Sequence, residues 1–205
     1  MVAVAKTADQ ASLQEAWGHG QRDFAHNRVQ PLMEHHAVLP DANWHLIGPL
    51  QSNKARKAVE RVHCIETLSE VKLAQSLNRL AGELRSSPLG VLIQINLDPS
   101  DGRPGLPIQS KSTDPGELHT LCSALVELDH LDLRGLMTIA PADASPIELH
   151  RHFARLRELA EGMAQNQYLP PSPELSMGMS GDFEIAVEEG ATLVRVGRAL
   201  FPPAN

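Results

Sequence analysis

The chain has 205 residues, 42% of them hydrophobic, a formal net charge of −7 and two cysteines. That length suffices for one domain with a sizeable core, and the lack of any long apolar run excludes a membrane-spanning helix. The acidic balance argues against a nucleic-acid surface, the N-terminal MVAVAKTAD is too short and wrongly flanked for a signal peptide, and Cys64 and Cys122 read as reduced core thiols of a cytoplasmic protein.

Taken in order, apolar Val2–Ala5 is a first strand. Leu13, Ala16 and Trp17 share a face of a short helix over Ser12–Trp17, stopped at Gly18 or Gly20. Arg22–Ala25 is a weak second strand, and Trp44–Ile47 is a better third that ends at Gly48-Pro49. Asn53 is expected to cap a helix through Val62. His63–Thr67 is a fourth strand. Leu73, Leu77, Leu80 and Leu84 recur at spacings of four, three and four, which predicts a helix face. Gly90–Leu97 is almost wholly apolar, as a strand buried on both faces should be.

Asp98–Gly116 is rich in Pro, Gly and Ser, and a loop of that length in a compact domain is usually functional or mobile. Leu118, Leu121, Leu125 and Leu128 mark a fifth helix. Leu133–Ile139 is strand six, followed by a turn over Ala140–Pro146. Leu149, Phe153, Leu156, Ala160 and Met163 stripe a long sixth helix, and Leu175–Met179 and Leu193–Val196 are strands seven and eight. No internal repeat and no linker divides the chain, so residues 1–205 are read as one domain. Strand and helix alternating about eight times predict an α/β fold, a parallel (β/α)₈ TIM barrel.

Barrels of this kind carry their chemistry at the C-terminal ends of the strands, and phosphates commonly bind at the loops after strands seven and eight. Ser180-Gly181 opens the amphipathic stretch Asp182–Glu189, and Gly197 follows strand eight. Two adjacent strand ends with free backbone N–H groups and a hydroxyl make a seat for a phosphate. Lys6 closes strand one. Either it snorkels to water, or, partly desolvated at the barrel mouth, it supplies a neutral amine for Schiff-base formation with an aldehyde. Amine and phosphate seat together suggest a phosphorylated aldehyde. By alternation Arg195 and Gly197 face the same side. A guanidinium among apolar neighbours needs an acceptor, and two readings stand open: a buried ion pair with a carboxylate, or a hydrogen bond to the ring nitrogen of a bound heterocycle. The basic run Lys54–Lys57 reads as a solvated helix face. Of the ten histidines none has metal-ligand spacing: His35 and His36 share no helix face, and His150 and His152 point apart.

Several blocks in one order carry a resemblance to a known family: VAVAKT at 2–7, WHLIGPLQSNKAR at 44–56, LIQINL at 92–97, LRGLMTIA at 133–140 and LSMGMSGDFEIAVEEGATLVRVGRALF at 175–201. Over nearly its whole length the chain resembles the pyridoxal phosphate homeostasis proteins, which have the fold type III, alanine-racemase-like barrel. The resemblance implies that Lys6 holds pyridoxal 5'-phosphate (PLP) as an internal aldimine. It implies that Ser180, Gly197 and the backbone at Arg198 hold the phosphate and that Arg195 contacts the pyridine nitrogen. Asn27, Asn53, Met137 and Met177 would line the pocket around the ring, although for Met137 and Met177 plain core packing is an equal reading. For His45 a hydrogen-bonded core role is favoured over proton transfer. The chain also departs from the family pattern. FAHNR at 24–28 stands where FGEN is usual, so Ala25 replaces a glycine and His26 an acid, and Arg198 stands where a small hydroxyl residue is common. The barrel is expected to lack the usual helix before strand one and any C-terminal β-domain.

The function implied is a cytoplasmic PLP-binding protein of vitamin B6 homeostasis, without catalytic turnover and without a metal. It is expected to be a monomer, with PLP and either PLP-dependent apoenzymes or a regulatory protein as partners, and with no nucleic acid or membrane. The alternative is a PLP-dependent amino-acid racemase-like enzyme using His26 or His45 as base. A third reading is a Schiff-base aldolase acting on a sugar phosphate.

Overall fold

Short, largely apolar runs form eight parallel strands in the computed structural model, which describes residues 1–98, 102–108 and 116–201. They are β1 (Val2–Val4), β2 (Asp23–His26), β3 (Asn43–Leu46), β4 (Cys64–Leu68), β5 (Leu89–Asn96), β6 (Leu131–Thr138), β7 (Glu174–Met179) and β8 (Leu193–Val196). The spatial order is β4-β3-β2-β1-β8-β7-β6-β5, and pairing of β4 with β5 closes the ring. Beyond that closing pair, a two-residue edge strand, Leu106–Pro107, adds to the end of β5 through Ile95 opposite Leu106. Helices α1 (Gln10–Gly18), α2 (Val29–Val38), α3 (Ala55–Arg61), α4 (Val71–Leu84), α5 (Gly116–Val126), α6 (Pro146–Gln165) and α7 (Phe183–Glu188) follow the strands.

The period of two along each strand divides the molecule into two packed regions. One face of the strands, including Phe24, Trp44, Leu46, Ile65 and Ile93, joins the apolar stripes of the helices in the principal core. Trp44 and Phe24 rings lie 5.4 Å apart, and Trp44 Nε1 donates to Leu39 O at 2.9 Å, so the indole buries its area without stranding its donor. The other face points into the barrel, where Cys64, Leu92 and Met137 form a separate cluster. Both cysteines are free and buried.

Local chemistry explains the helix starts. Asp9 accepts from Ser12 N at 2.8 Å in a capping box that begins α1. Ser145 and Glu148 make another for α6, with Pro146 in its first turn. Helix α2 was not foreseen in the sequence. Its buried residues are only Val29 and Leu32, and Pro31 reads as a breaker, yet it sits in the first turn, where a missing N–H costs little. The expected Asn53 cap is corrected: Asn53 lies inside a 3₁₀ turn, Ser52–Lys54, and α3 begins at Ala55 with no side-chain cap. His63 precedes β4 rather than belonging to it. In the long connection, expected to be functional or mobile, residues 99–101 and 109–115 lie outside the described residues. Its described part is tied to β5 by Gln94 Nε2 donating to Pro104 O (2.9 Å) and Asn96 Nδ2 to Arg103 O (2.8 Å).

Helix α7 approaches β7 closely because residue 178 has no side chain. Gly178 has φ +90°, and a Cβ there would lie 2.6 Å from the Ala186 Cβ and 3.0 Å from the Phe183 Cα. Gly178→Ala is therefore expected to destabilise the fold by about 2 kcal/mol or more, read as a lower denaturant midpoint at unchanged m-value. Gly162→Ala in α6, where a Cβ meets nothing within 4 Å, is the control and should stabilise by about 0.5–1 kcal/mol.

Candidate functional site

The mouth of the barrel is assembled from both ends of the sequence. Lys6 follows β1 and is exposed. The turn after β7 is fixed by Asp182, whose Oδ1 accepts from Met179 N at 2.5 Å while its own N–H donates to Met179 O at 3.1 Å. Ser180 Oγ accepts from Gly197 N at 3.3 Å, which joins that turn to the one after β8. Gly197 sits against β1, where a Cβ would lie 3.3 Å from Val4. Thr7 Oγ1 donates to Phe201 O at 2.8 Å and ties the end of β1 to the last turn. These groups enclose a cavity of about 370 Å³, lined on its polar side by Lys6, Thr7, Ser180, Asp182, Arg195, Gly197 and Arg198, and on its apolar side by Val4, Ile47, Ala140, Pro141 and Leu149.

The structure thus brings Lys6, Ser180, Arg195, Gly197 and Arg198 to one cavity. Asn27, Asn53, Met137 and Met177 are not among its lining residues. Met177 is fully buried in the principal core, because its neighbour Ser176 faces inward and alternation turns Met177 out toward the helices. Met137 is buried inside the barrel against Cys64 and Leu92. Asn53 is exposed on its 3₁₀ turn. Asn27 packs through its backbone on Gly48, where a Cβ would lie 2.1 Å from Asn27 O.

Beneath the cavity runs a polar chain that sequence reading did not assemble. Arg195, 2% exposed, donates from Nη1 to Ser176 Oγ and from Nη2 to Thr138 O, both at 2.7 Å. Ser176 Oγ donates to Glu66 Oε2 at 2.6 Å, and Glu66 Oε1 meets His45 Nδ1 at 2.7 Å. Asp23 Oδ1 stands 3.8 Å from His45 Nε2, an ion-pair distance rather than a hydrogen bond. Of the two open readings for Arg195, the structure shows a variant of the first: a serine hydroxyl is interposed between guanidinium and carboxylate. Burial opposes charge on His45, but Asp23, Cys64 and Glu66 outweigh it and raise the imidazole well above its usual range. Burial likewise opposes the Glu66 carboxylate, yet the His45 bond and charge, then Arg195 and Ser176, hold it below its ordinary value. His45 brings Asp23 down to about 2. The signal available in the sequence was Glu66 itself, a lone acid in the apolar run CIETL.

His26 takes the opposite face. Alternation places it against α2, with its ring 5.5 Å from that of His35, and neither of its ring nitrogens has a hydrogen-bond partner. Burial, then the charge of His35, pushes it down to about 4. Neither His26 nor His45 lines the cavity, so the two bases considered for racemase-like chemistry do not reach it. Because the folded form of His26 resists its proton, the unfolded chain binds more protons between pH about 6.5 and about 4, and stability falls as the pH drops through that window. The slope from one such group is at most about 1.4 kcal/mol per pH unit. His26→Leu should flatten the loss between pH 6.5 and 4, measured by urea midpoints at stepped pH.

A closed parallel barrel with this mouth defines a protein of the alanine racemase N-terminal domain class, whose family description matches residues 1–203. Alanine racemase from Clostridium difficile 630 shares the fold alone, with a TM-score of 0.74 at 15% identity over 97% of this chain and 50% of its own. The pyridoxal phosphate homeostasis protein of Synechocystis sp. is 41% identical over 204 residues, spanning 98% of this chain and 89% of that relative. The one from Pseudomonas aeruginosa is 40% identical over 205 residues (98% and 83%). PipY of Synechococcus elongatus PCC7942, solved with PLP bound, has a TM-score of 0.87 at 41% identity, over 98% of this chain and 92% of PipY. The chain belongs to this family of pyridoxal phosphate homeostasis proteins.

Proposed function

We propose that the chain binds PLP through Lys6 and serves intracellular PLP homeostasis as a carrier that does not turn over amino acids. The observation that carries this reading is the convergence of Lys6, Ser180, Arg195, Gly197 and Arg198 on one cavity of about 370 Å³. PLP supplies an aldehyde that condenses with an amine and a phosphate that anchors it. The residues present fit both. Lys6 offers the amine, and the Ser180 hydroxyl, the backbone at Gly197 and the exposed Arg198 offer donors to the phosphate at the junction of two turns. The one carboxylate among the described residues of the wall, Asp182, is engaged by the Met179 N–H.

Arg195 faces the same cavity with a side chain that only donates. A ring nitrogen accepting from it stays unprotonated, which weakens the electron sink that carbanion chemistry needs. Among the described residues the cavity wall holds no His, Cys or Tyr to act as a second base; Tyr168 lies instead beside His119, with ring centroids 5.2 Å apart. Both points support a carrier, whose partners in this reading are PLP-dependent apoenzymes or a regulatory protein. No helix among the described residues is long and apolar enough to cross a membrane.

Adding PLP to the purified protein should produce a visible absorption band, and borohydride should fix the cofactor to Lys6 by peptide mapping; Lys6→Ala should lose both. Incubation with D- or L-amino acids in deuterated water should give no sustained α-proton exchange. Exchange that Lys6→Ala abolishes would overturn the carrier reading. Arg198→Ala should weaken PLP binding about tenfold and flatten its salt dependence, measured by absorbance titration at two ionic strengths.

A further inference from the structure

The polar chain inside the barrel has a direction forced on it by chemistry. Arg195 has no acceptor, so the Ser176 oxygen must accept from it. Ser176 then has its hydrogen left to give, and Glu66 Oε2 at 2.6 Å receives it. Glu66 is fully buried, so its second oxygen also needs a donor, which is the Nδ1–H of His45 at 2.7 Å. His45 keeps Nε2 for a second proton facing Asp23. Every hydrogen from His45 Nδ1 to Arg195 Nη1 is therefore fixed, and the donors on both sides converge on one carboxylate. At the far end Thr138 O holds the second arm of the guanidinium. Two of its N–H groups are spent in this way, and Arg195 is among the residues that line the cavity.

We propose that Glu66, held by His45, is a positioning residue that fixes Arg195 beneath the cavity through the Ser176 hydroxyl. The proposal rests on the reading that a PLP ring lies over Arg195, and it deepens that reading: ring contact depends on a carboxylate that never touches the ligand. An arginine side chain has many rotamers, and holding one of them before the ligand arrives removes an ordering cost from binding. A carboxylate paired directly with Arg195 would engage its N–H groups in a bidentate pair and neutralise its charge. The interposed hydroxyl anchors the group through one N–H and leaves its charge less neutralised.

The test uses the full chain with and without PLP. In the unloaded protein, exchange of the Arg195 side-chain protons with water is followed by NMR. In parallel, PLP affinity is taken from absorbance titration and Lys6 labelling from borohydride trapping. Ser176→Ala should speed the Arg195 exchange and weaken PLP about tenfold, with Lys6 still the residue trapped. Ser176→Thr, which returns the hydroxyl, should recover both. Glu66→Gln keeps an acceptor for Ser176 but cannot also accept from His45, so it should give a smaller loss of affinity together with a lower titration midpoint for His45. Ser176→Ala with wild-type exchange and wild-type affinity would overturn the proposal. Faster exchange in Ser176→Ala alongside a wild type whose Lys6 is never trapped would support the clamp and refute the cofactor reading instead.

Discussion

A carboxylate placed where no water reaches must be met by donors on every side, and in this barrel that carboxylate is Glu66. Its two oxygens draw His45 from β3, Ser176 from β7 and, through Ser176, Arg195 from β8 into one arrangement. Removing a single member leaves a buried charge without its partner, which commonly costs about 3–5 kcal/mol. The interior is thereby committed to one arrangement, and the guanidinium at the cavity floor inherits that commitment. The apolar side of the barrel interior is small by comparison, comprising Cys64, Leu92 and Met137 with Ile139 and Leu193 beside them.

Much of this was readable from residue order. The strand tips that carry Lys6, Ser180, Arg195 and Gly197 follow from apolar runs ending in small or polar residues, and period-two alternation set Arg195 and Gly197 on one side. Alternation also held the answer for Met177, since a residue next to inward-facing Ser176 must face the helices. That argument needed the orientation of Ser176, which nothing local reveals. Asn53 looked like a cap because its side chain suits that role. The extra 3₁₀ turn ahead of α3 is a backbone choice with no side-chain signature. Helix α2 was hidden by Pro31 and by its short apolar stripe. The Glu66 chain was illegible for a different reason: its partners lie 21 and 110 residues away in sequence, so only closure of the barrel brings them together.

The histidines show how one residue type serves opposite ends on two faces of a sheet. His45 faces carboxylates and is held charged, while His26, on the paired strand next to it and one register position on, faces another imidazole and is held neutral. Their contributions to stability carry opposite signs with pH. The His45 pairing is present at low pH and is lost as pH rises through its elevated pKa, whereas the neutral His26 is tolerated only above its depressed one.

The Thr7–Phe201 hydrogen bond joins residues 194 positions apart, and β1 pairs directly with β8. One wall of the cavity is therefore synthesised well before the other. A nascent chain carries the amine long before it carries the opposing turns, so it has nothing to hold an anion against that amine. Both walls stand together only once β8 has paired with β1, and any ligand that bridges the seam would add its binding free energy to closure of the ring. Occupancy of the cavity and completion of the fold are thermodynamically linked.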